Sequence, residues 1–193
     1  MKKDIKQYAK MSQMHYNFDK EPTDKQRHEV EKAFKGYKVD KKSDHNVMGL
    51  YNEDKKHLVI NHRGSSKTED WLSDLMHGAG YGELEPQANS RRKQTKEMIK
   101  QYPNDTKVTL TGHSFGGATV LESLNKSESL NKHIHDVHLF NPFHARIHSK
   151  NDKVHIHRTA SDVASVLPSF NKTHTYKKEY QNPLTAHKLD NFY

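Results

Sequence analysis

The stretch VTLTGHSFGGATV, residues 108–120, constrains the fold more than any other part of this chain. The chain has only 9 glycines in 193 residues, yet Gly112, Gly116 and Gly117 fall within one short run. A β-branched run before them predicts a strand, and an apolar stretch after them predicts a helix. Gly112-His113-Ser114-Phe115-Gly116 fits G-x-S-x-G at a strand-to-helix junction, the context that gives this motif meaning. There the serine takes a strained backbone conformation, at about 1–3 kcal/mol, that lifts its hydroxyl out of the sheet. Side chains two residues before and after would collide where strand and helix pass, so glycine is needed at both positions, and Gly117 extends the clearance. The same turn aims the first helical amides at one point, ready to hold negative charge. Ser114 is therefore a candidate nucleophile and the Phe115 amide a candidate oxyanion donor. The plainer alternative is a tight turn with an idle serine.

A serine hydroxyl needs a base to take its proton and a carboxylate to orient that base. In α/β-hydrolases the chain order is serine, acid, histidine. Asp162, in HRTASDVASVLP, follows a predicted strand and so falls on the catalytic edge. The rival acids Asp136 and Asp152 open or precede strands, which puts them at the wrong end. Of 16 histidines only His174 and His187 come after Asp162, and His187 stands in a turn-like segment among apolar neighbours.

The rest of the chain alternates between helical and strand periods. Residues 3–18 carry Ile5, Tyr8, Ala9 and Tyr16 at helical spacing. Thr23 and Gln26 read as a capping box for a second helix with Val30, Ala33, Phe34 and Tyr37 as its stripe and Gly36 near its stop. Strands are expected at 46–51 and 57–62, joined by a polar turn at 52–56, then a short helix from about Thr68 and a glycine-rich loop, HGAGYGELEP. Residues 88–101 predict a basic helix with Ala88, Thr95, Met98, Ile99 and Tyr102 inward. HDVHLFNP and KVHIHRTA read as further strands, and the tail from about 171 as turns and short extended pieces. Strands alternating with helices imply a largely parallel sheet, with reactive groups at its carboxyl ends. With no repeat and no linker, the expectation is a single domain over 1–193, in which 1–45 is a helical N-terminal extension packing on the rest.

Composition narrows the partners. Hydrophobic content is 32% and mean hydropathy −1.10, values near those of disordered chains, but 7 Phe and 9 Tyr spread through periodic segments argue for a thin core. The net charge of +8 reads as a solvated lysine-rich surface capable of peripheral contact with anionic surfaces. The densest basic run, RRKQTKEMIK, fits an outer helix face, and no nucleic-acid motif accompanies it. Absence of cysteine excludes disulfides, thiolate zinc sites and cysteine nucleophiles. The pairs His133/His135 and His155/His157 are two apart, as on one strand face, but a third zinc ligand is not supplied by the spacing, so neither metal nor cofactor is expected. No apolar h-region and no run of about 20 apolar residues occurs, which predicts a soluble chain, cytoplasmic rather than secreted.

Three blocks, LVINHRGSSKTEDWLSDL, VTLTGHSFGGATV and HRTASDVASVLPS, together resemble the class 3 lipases, the fungal-type triacylglycerol lipases of the α/β-hydrolase superfamily. The resemblance runs from about residue 46 onward. It implies a compact, mostly parallel α/β sheet flanked by helices. It implies Ser114 as nucleophile, Asp162 as orienting acid and His187 as general base. It implies an oxyanion hole formed by the Phe115 amide with Ser65 of the HRGS turn. Arg63, Asp70, Trp71 and Asp74 are scaffold in this reading, Arg63 pairing with a nearby carboxylate to set the turn. Two departures stand out. His62 replaces a usually apolar or aromatic residue, and Met76 to Pro86 lacks the greasy helix of a lipase lid. Little or no lid is thus expected, and the function implied is a serine hydrolase cleaving carboxylic esters, a small esterase or phospholipase-like enzyme acting on an ester or lipid substrate. The alternatives are a peptidase, thioesterase or acyltransferase using the same triad, and a lipase-fold protein kept for binding or structure with catalysis lost or incidental.

Overall fold

A computed structural model describes residues 3–65, 80–143, 151–159, 172–176 and 188–192. The elements are α1 (Lys3–His15), α2 (Asp24–Ala33), β1 (Lys38–Val39), β2 (Val47–Asn52), β3 (His57–His62), α3 (Gly80–Ile99), β4 (Lys107–His113), α4 (Phe115–Asn125), α5 (Glu128–His133), β5 (Ile134–Phe140), β6 (Val154–Thr159), β7 (Lys172–Tyr176) and a 3-10 turn, Leu189–Phe192. The seven strands lie in chain order across one sheet. β1, β2 and β3 pair antiparallel, and β3 through β7 pair parallel, so the mostly parallel sheet expected from sequence is present.

Alternation along the strands builds two different faces. Leu58 and Ile60 of β3, Val108 and Leu110 of β4, Val137 and Leu139 of β5 and Val154 and Ile156 of β6 form one apolar layer. Met98, Val120, Leu121, Leu124 and Leu130 from the helices α3, α4 and α5 close it. On the other face β2 and β3 present Met48, Leu50 and Val59 to Met11, Phe18, Val30 and Phe34. Further along, that same face turns polar. Asn61, Thr109, Thr111, His113, His138 and His157 are all buried there. Hydrogen bonds replace grease: Ser12 and Thr111 donate to Asn61 Oδ1 at 2.7 and 2.9 Å, and Asn61 Nδ2 donates to His15 Nδ1 at 2.7 Å. Burial of paired polar groups costs little, so the low hydropathy is compatible with a packed interior.

Local signals set several boundaries as expected. The Thr23 capping box is present, with the Gln26 amide donating to Thr23 Oγ1 and the Thr23 amide to Gln26 Oε1. The elements at 57–62, 107–113 and 115–125 also match. Two expectations need correction. The glycine-rich loop is helical from Gly80 onward, with Pro86 inside the helix. Proline removes one backbone donor from α3, but Leu84 and Ala88 are buried, Leu84 against Ala118 and Phe143, and this packing outweighs propensity. His133 ends α5 while His135 lies on β5, so that pair shares no strand face. In the tail, expected as turns and short extended pieces, residues 172–176 form β7, parallel to β6. The short helix expected from Thr68 falls outside the described residues. Among the described residues no helix is long and apolar enough to cross a membrane.

Candidate active site

β4 delivers the chain to Ser114, and α4 carries it away. Ser114 has φ +54° and ψ −126°, a left-handed conformation that L side chains rarely adopt. The residue is buried. The turn is held on both sides: the Ser114 amide donates to the Phe140 carbonyl at 3.1 Å, and the Ser114 carbonyl accepts from the amides of Gly117 at 3.0 Å and Phe143 at 2.9 Å. Such strain persists only where the surroundings over-determine it. The glycines give the predicted clearance. A Cβ on Gly112 would stand 2.8 Å from the Gly116 carbonyl carbon, and one on Gly116 would run into the His62 carbonyl oxygen.

The 63–65 turn meets the elbow directly. A Cβ on Gly64 would lie 2.8 Å from the His113 carbonyl oxygen and 3.2 Å from Ser114 Cβ. Residues 63–65 therefore pass beside Ser114, the relationship an oxyanion hole made from two chain segments requires. Ser65 is exposed there, whereas Phe115 packs its ring toward Leu84, Ala118 and Phe143.

Buried polar groups brace this junction. His62, the departure from the usual apolar residue, sits between Thr95 and Thr119. Thr119 Oγ1 donates to the Gly116 carbonyl at 2.8 Å, so it accepts from His62 Nδ1–H at 3.1 Å, leaving Nε2 to accept from Thr95 Oγ1 at 2.9 Å. That pattern requires a neutral imidazole. Burial, with Arg91 and His15 nearby, holds its pKa well below the ordinary histidine value. Tyr16 of the segment after α1 lies 2.7 Å from His113 Nδ1. Burial raises the pKa of its phenol, so the hydroxyl stays protonated. Among the described residues no carboxylate forms an ion pair with Arg63. Its Nη1 donates to the Phe18 carbonyl at 3.0 Å and its guanidinium lies over the Tyr16 ring. Asp44 and Asp19 act on Arg63 only through space.

The catalytic edge continues through β5 and β6. Asn141, at φ +40°, donates its amide to the His157 carbonyl at 2.7 Å and accepts from the Thr159 amide through Oδ1 at 3.0 Å. This ties the carboxyl end of β6 to the segment whose Phe143 amide holds Ser114. Asp136 lies near the other end of β5, where it bonds His138 Nε2 at 2.9 Å and His155 Nε2 at 3.3 Å. His138 Nδ1 in turn meets His157 Nε2 at 2.9 Å. Asp162, His187, Asp70, Trp71 and Asp74 lie outside the described residues. His174 belongs to β7, in register with His157. Sequence reasoning passed over Tyr16 and Arg91. Tyr16 reads as one more residue of an amphipathic stripe and Arg91 as one more cation on a basic face, with no local signal of long-range contact.

Comparisons with known proteins bear on the fold and the family. The lipase of Rhizomucor miehei is 34% identical over 95 residues, which are 40% of this chain and 25% of that protein, so the chain spans a quarter of the curated relative it matches. The crystal structure of the lipase from Rhizopus microsporus var. chinensis superposes with a TM-score of 0.59 at 17% identity, covering 86% of this chain and 68% of that one. A triacylglycerol lipase described as having a serine-protease triad at its catalytic centre gives 0.58 at 19% identity, covering 86% and 73%. These likenesses establish the α/β-hydrolase fold of the fungal lipases that the three sequence blocks resemble. Residues 18–166 match the family model described as platelet-activating factor acetylhydrolase, isoform II. Covering most of the chain, that match makes this protein a member of the platelet-activating factor acetylhydrolase isoform II family.

Proposed function

We propose that the chain is a serine hydrolase of carboxylic esters, with Ser114 as nucleophile, Asp162 and His187 as its acid and base, and Phe115 and Ser65 as oxyanion donors. The observation that carries this reading is the left-handed backbone of Ser114 between β4 and α4. A strained, buried serine at a strand end has no structural use that a glycine would not meet more cheaply. β6 ends at Thr159, on the edge where β4 delivers Ser114, and Asp162 comes three positions later in the chain, which supports its role over Asp136.

In this mechanism His187, oriented by Asp162, takes the Ser114 proton as Oγ attacks the ester carbonyl. The Phe115 amide and Ser65 hold the negative oxygen. His187 then protonates the departing alcohol, and water, activated by the same imidazole, releases the acid. The substrate class is a lipid ester with a small acyl group. The name of the matched family supports it, since it specifies an acetylhydrolase. The lack of bulky apolar residues across 76–86 also favours an open cleft over an oil-activated lid. Contact with an anionic lipid surface follows from the net charge of +8. We read residues 1–193 as one working unit, because α1 supplies part of the packing beneath the elbow.

The test is active-site labelling with a fluorophosphonate, followed by peptide mapping, alongside hydrolysis of p-nitrophenyl acetate and its longer-chain homologues. The expected result is a single adduct on Ser114, fastest turnover on the shortest acyl group, and loss of both in Ser114→Ala. Hydrolysis by Ser114→Ala as fast as by the parent would overturn the proposal.

A further inference from the structure

The two donors of the proposed oxyanion hole belong to different pieces of chain, the turn after β3 and the first residue of α4. One side chain touches both pieces. Arg91 of α3 donates Nη1 to the Arg63 carbonyl at 2.5 Å, within the turn that leads to Ser65, and its guanidinium lies 5.8 Å from the centre of the Phe115 ring. Its Nη2 reaches Asn46 Oδ1 at 3.3 Å and Gln87 Oε1 at 3.2 Å. Each of these oxygen partners is neutral. Arg91 is only 5% exposed, and among the described residues no carboxylate forms an ion pair with it. Asp44 acts on it only through space, while the neighbouring Arg63 opposes it.

A buried cation without an ion-pair partner is costly and is kept where it has work to do. A fork of planar N–H donors can hold a carbonyl on one side and two side-chain amides on the other, and its face can cover an aromatic ring. A lysine ammonium can do neither geometry at once.

We propose that Arg91 is a positioning residue for the oxyanion hole, locking the 63–65 turn against the Phe115 elbow and adding positive potential where the substrate oxygen becomes negative. This rests on the reading of Ser114 as nucleophile. Misplacing a catalytic group by about 1 Å can cost on the order of 10²-fold in rate. Disconnecting the turn from the elbow therefore costs between about 10-fold and 10²-fold in kcat. KM changes little, because the ground-state carbonyl makes weaker use of the hole than the tetrahedral anion does.

The experiment compares the parent with Arg91→Met and Arg91→Lys on p-nitrophenyl acetate. In parallel it measures inhibition by a trifluoromethyl ketone, whose hydroxyl-adduct oxygen mimics the tetrahedral anion. Both variants are expected to lose kcat at nearly constant KM, and to lose inhibitor affinity in proportion to kcat/KM, with Ser114 still labelled to completion by a fluorophosphonate. A merely structural role would not link inhibitor affinity to kcat in this way. Should Arg91→Met fail to fold, Gln87→Ala, which removes one anchor of the guanidinium, is expected to give a smaller loss of the same pattern. Folded Arg91 variants that match the parent in kcat and inhibitor affinity, with the parent labelled at Ser114, overturn this inference alone. A parent that takes no label at Ser114 overturns the esterase reading and this inference with it.

Discussion

Tyr16 and His113, ninety-seven residues apart in the chain, meet hydroxyl to Nδ1 at 2.7 Å, one residue before Ser114. The first helical segment is thereby fastened to the catalytic turn, since His113 is the residue before Ser114 and the Gly64 backbone lies against the same hydroxyl. Tyr16→Phe removes the hydroxyl and with it this hydrogen bond to His113 Nδ1. The expected cost is about 1 kcal/mol of folding stability, rising toward about 3 kcal/mol if no water replaces the phenol. Urea denaturation reads that loss. Ester hydrolysis is expected to fall by less than about tenfold, because the hydrogen bond shapes the turn without touching the substrate.

Gly116 makes the closest passage between α4 and the end of β3. A methyl group there meets the His62 carbonyl oxygen and stands 2.7 Å from the Arg63 carbonyl carbon, so backbone must move on one side or the other. Gly116→Ala is expected to lower stability by about 3 kcal/mol or more, at the high end of overpacking effects. The expected observations are a lower urea midpoint and slow or absent fluorophosphonate labelling of whatever fraction remains folded. Parent-like values in both would mean that α4 enters at a different angle.

These two sites show which parts of the molecule can be read along the chain. The elbow was legible because its signals are local: a β-branched run, glycines at fixed offsets and a helix stripe all fall within residues 108–124. The Thr23 cap was legible for the same reason. The start of α3 was not, because glycines and Pro86 argue locally for a loop while Leu84 and Ala88 gain burial only after α4 has formed beside them. The face of α1 that enters the sheet was also obscured. It includes Ser12 and His15, polar residues that no hydrophobic pattern would place inside, and their partner Asn61 is forty-nine and forty-six positions away. Arg91 and Tyr16 belong to the same class, since their importance depends on contacts across the fold.

The buried imidazole of His15 sets a pH limit on stability. Nε2–H donates to the Asp44 carbonyl at 2.8 Å and Nδ1 accepts from Asn61, so only the neutral ring fits. Burial is the main reason its pKa falls to about 3, against about 6.5 in an unfolded chain. The neutral form is favoured by folding, so this contribution is complete above about pH 6.5 and is lost as pH falls toward 3. The expected slope is about 1.4 kcal/mol per pH unit across that window for His15. His62 is shifted in the same direction and steepens it. Denaturant titrations at pH 7 and pH 5 check the point. His15→Gln is expected to be less stable than the parent at pH 7 and to show the shallower pH dependence.

The identity of the orienting acid is decided by comparing Asp162→Asn with Asp136→Asn. Asp136 has its oxygens engaged by His138 and His155 near the amino end of β5. Four residues separate it from Phe140, which pairs with His113 at the catalytic edge, a span of about 13 Å along a strand. Neutralising it should therefore leave Ser114 chemistry within about threefold of the parent, a separation too long for direct orientation of a base. Its effect should appear instead as lower stability, because its contact with His155 helps fasten β5 to β6. Asp162→Asn, by contrast, is expected to cut kcat by roughly 10³–10⁴-fold with little change in KM, the consequence of losing the tautomer control that makes the imidazole a base. The same logic separates the two histidines that follow it in the chain. His187→Ala should cost at least as much as Asp162→Asn, and the two should combine without adding, as members of one proton-transfer unit do. His174→Ala should not. If Asp136→Asn abolished turnover while Asp162→Asn spared it, the acid would have to reach the base from the opposite end of β5, and the catalytic edge would have to be redrawn.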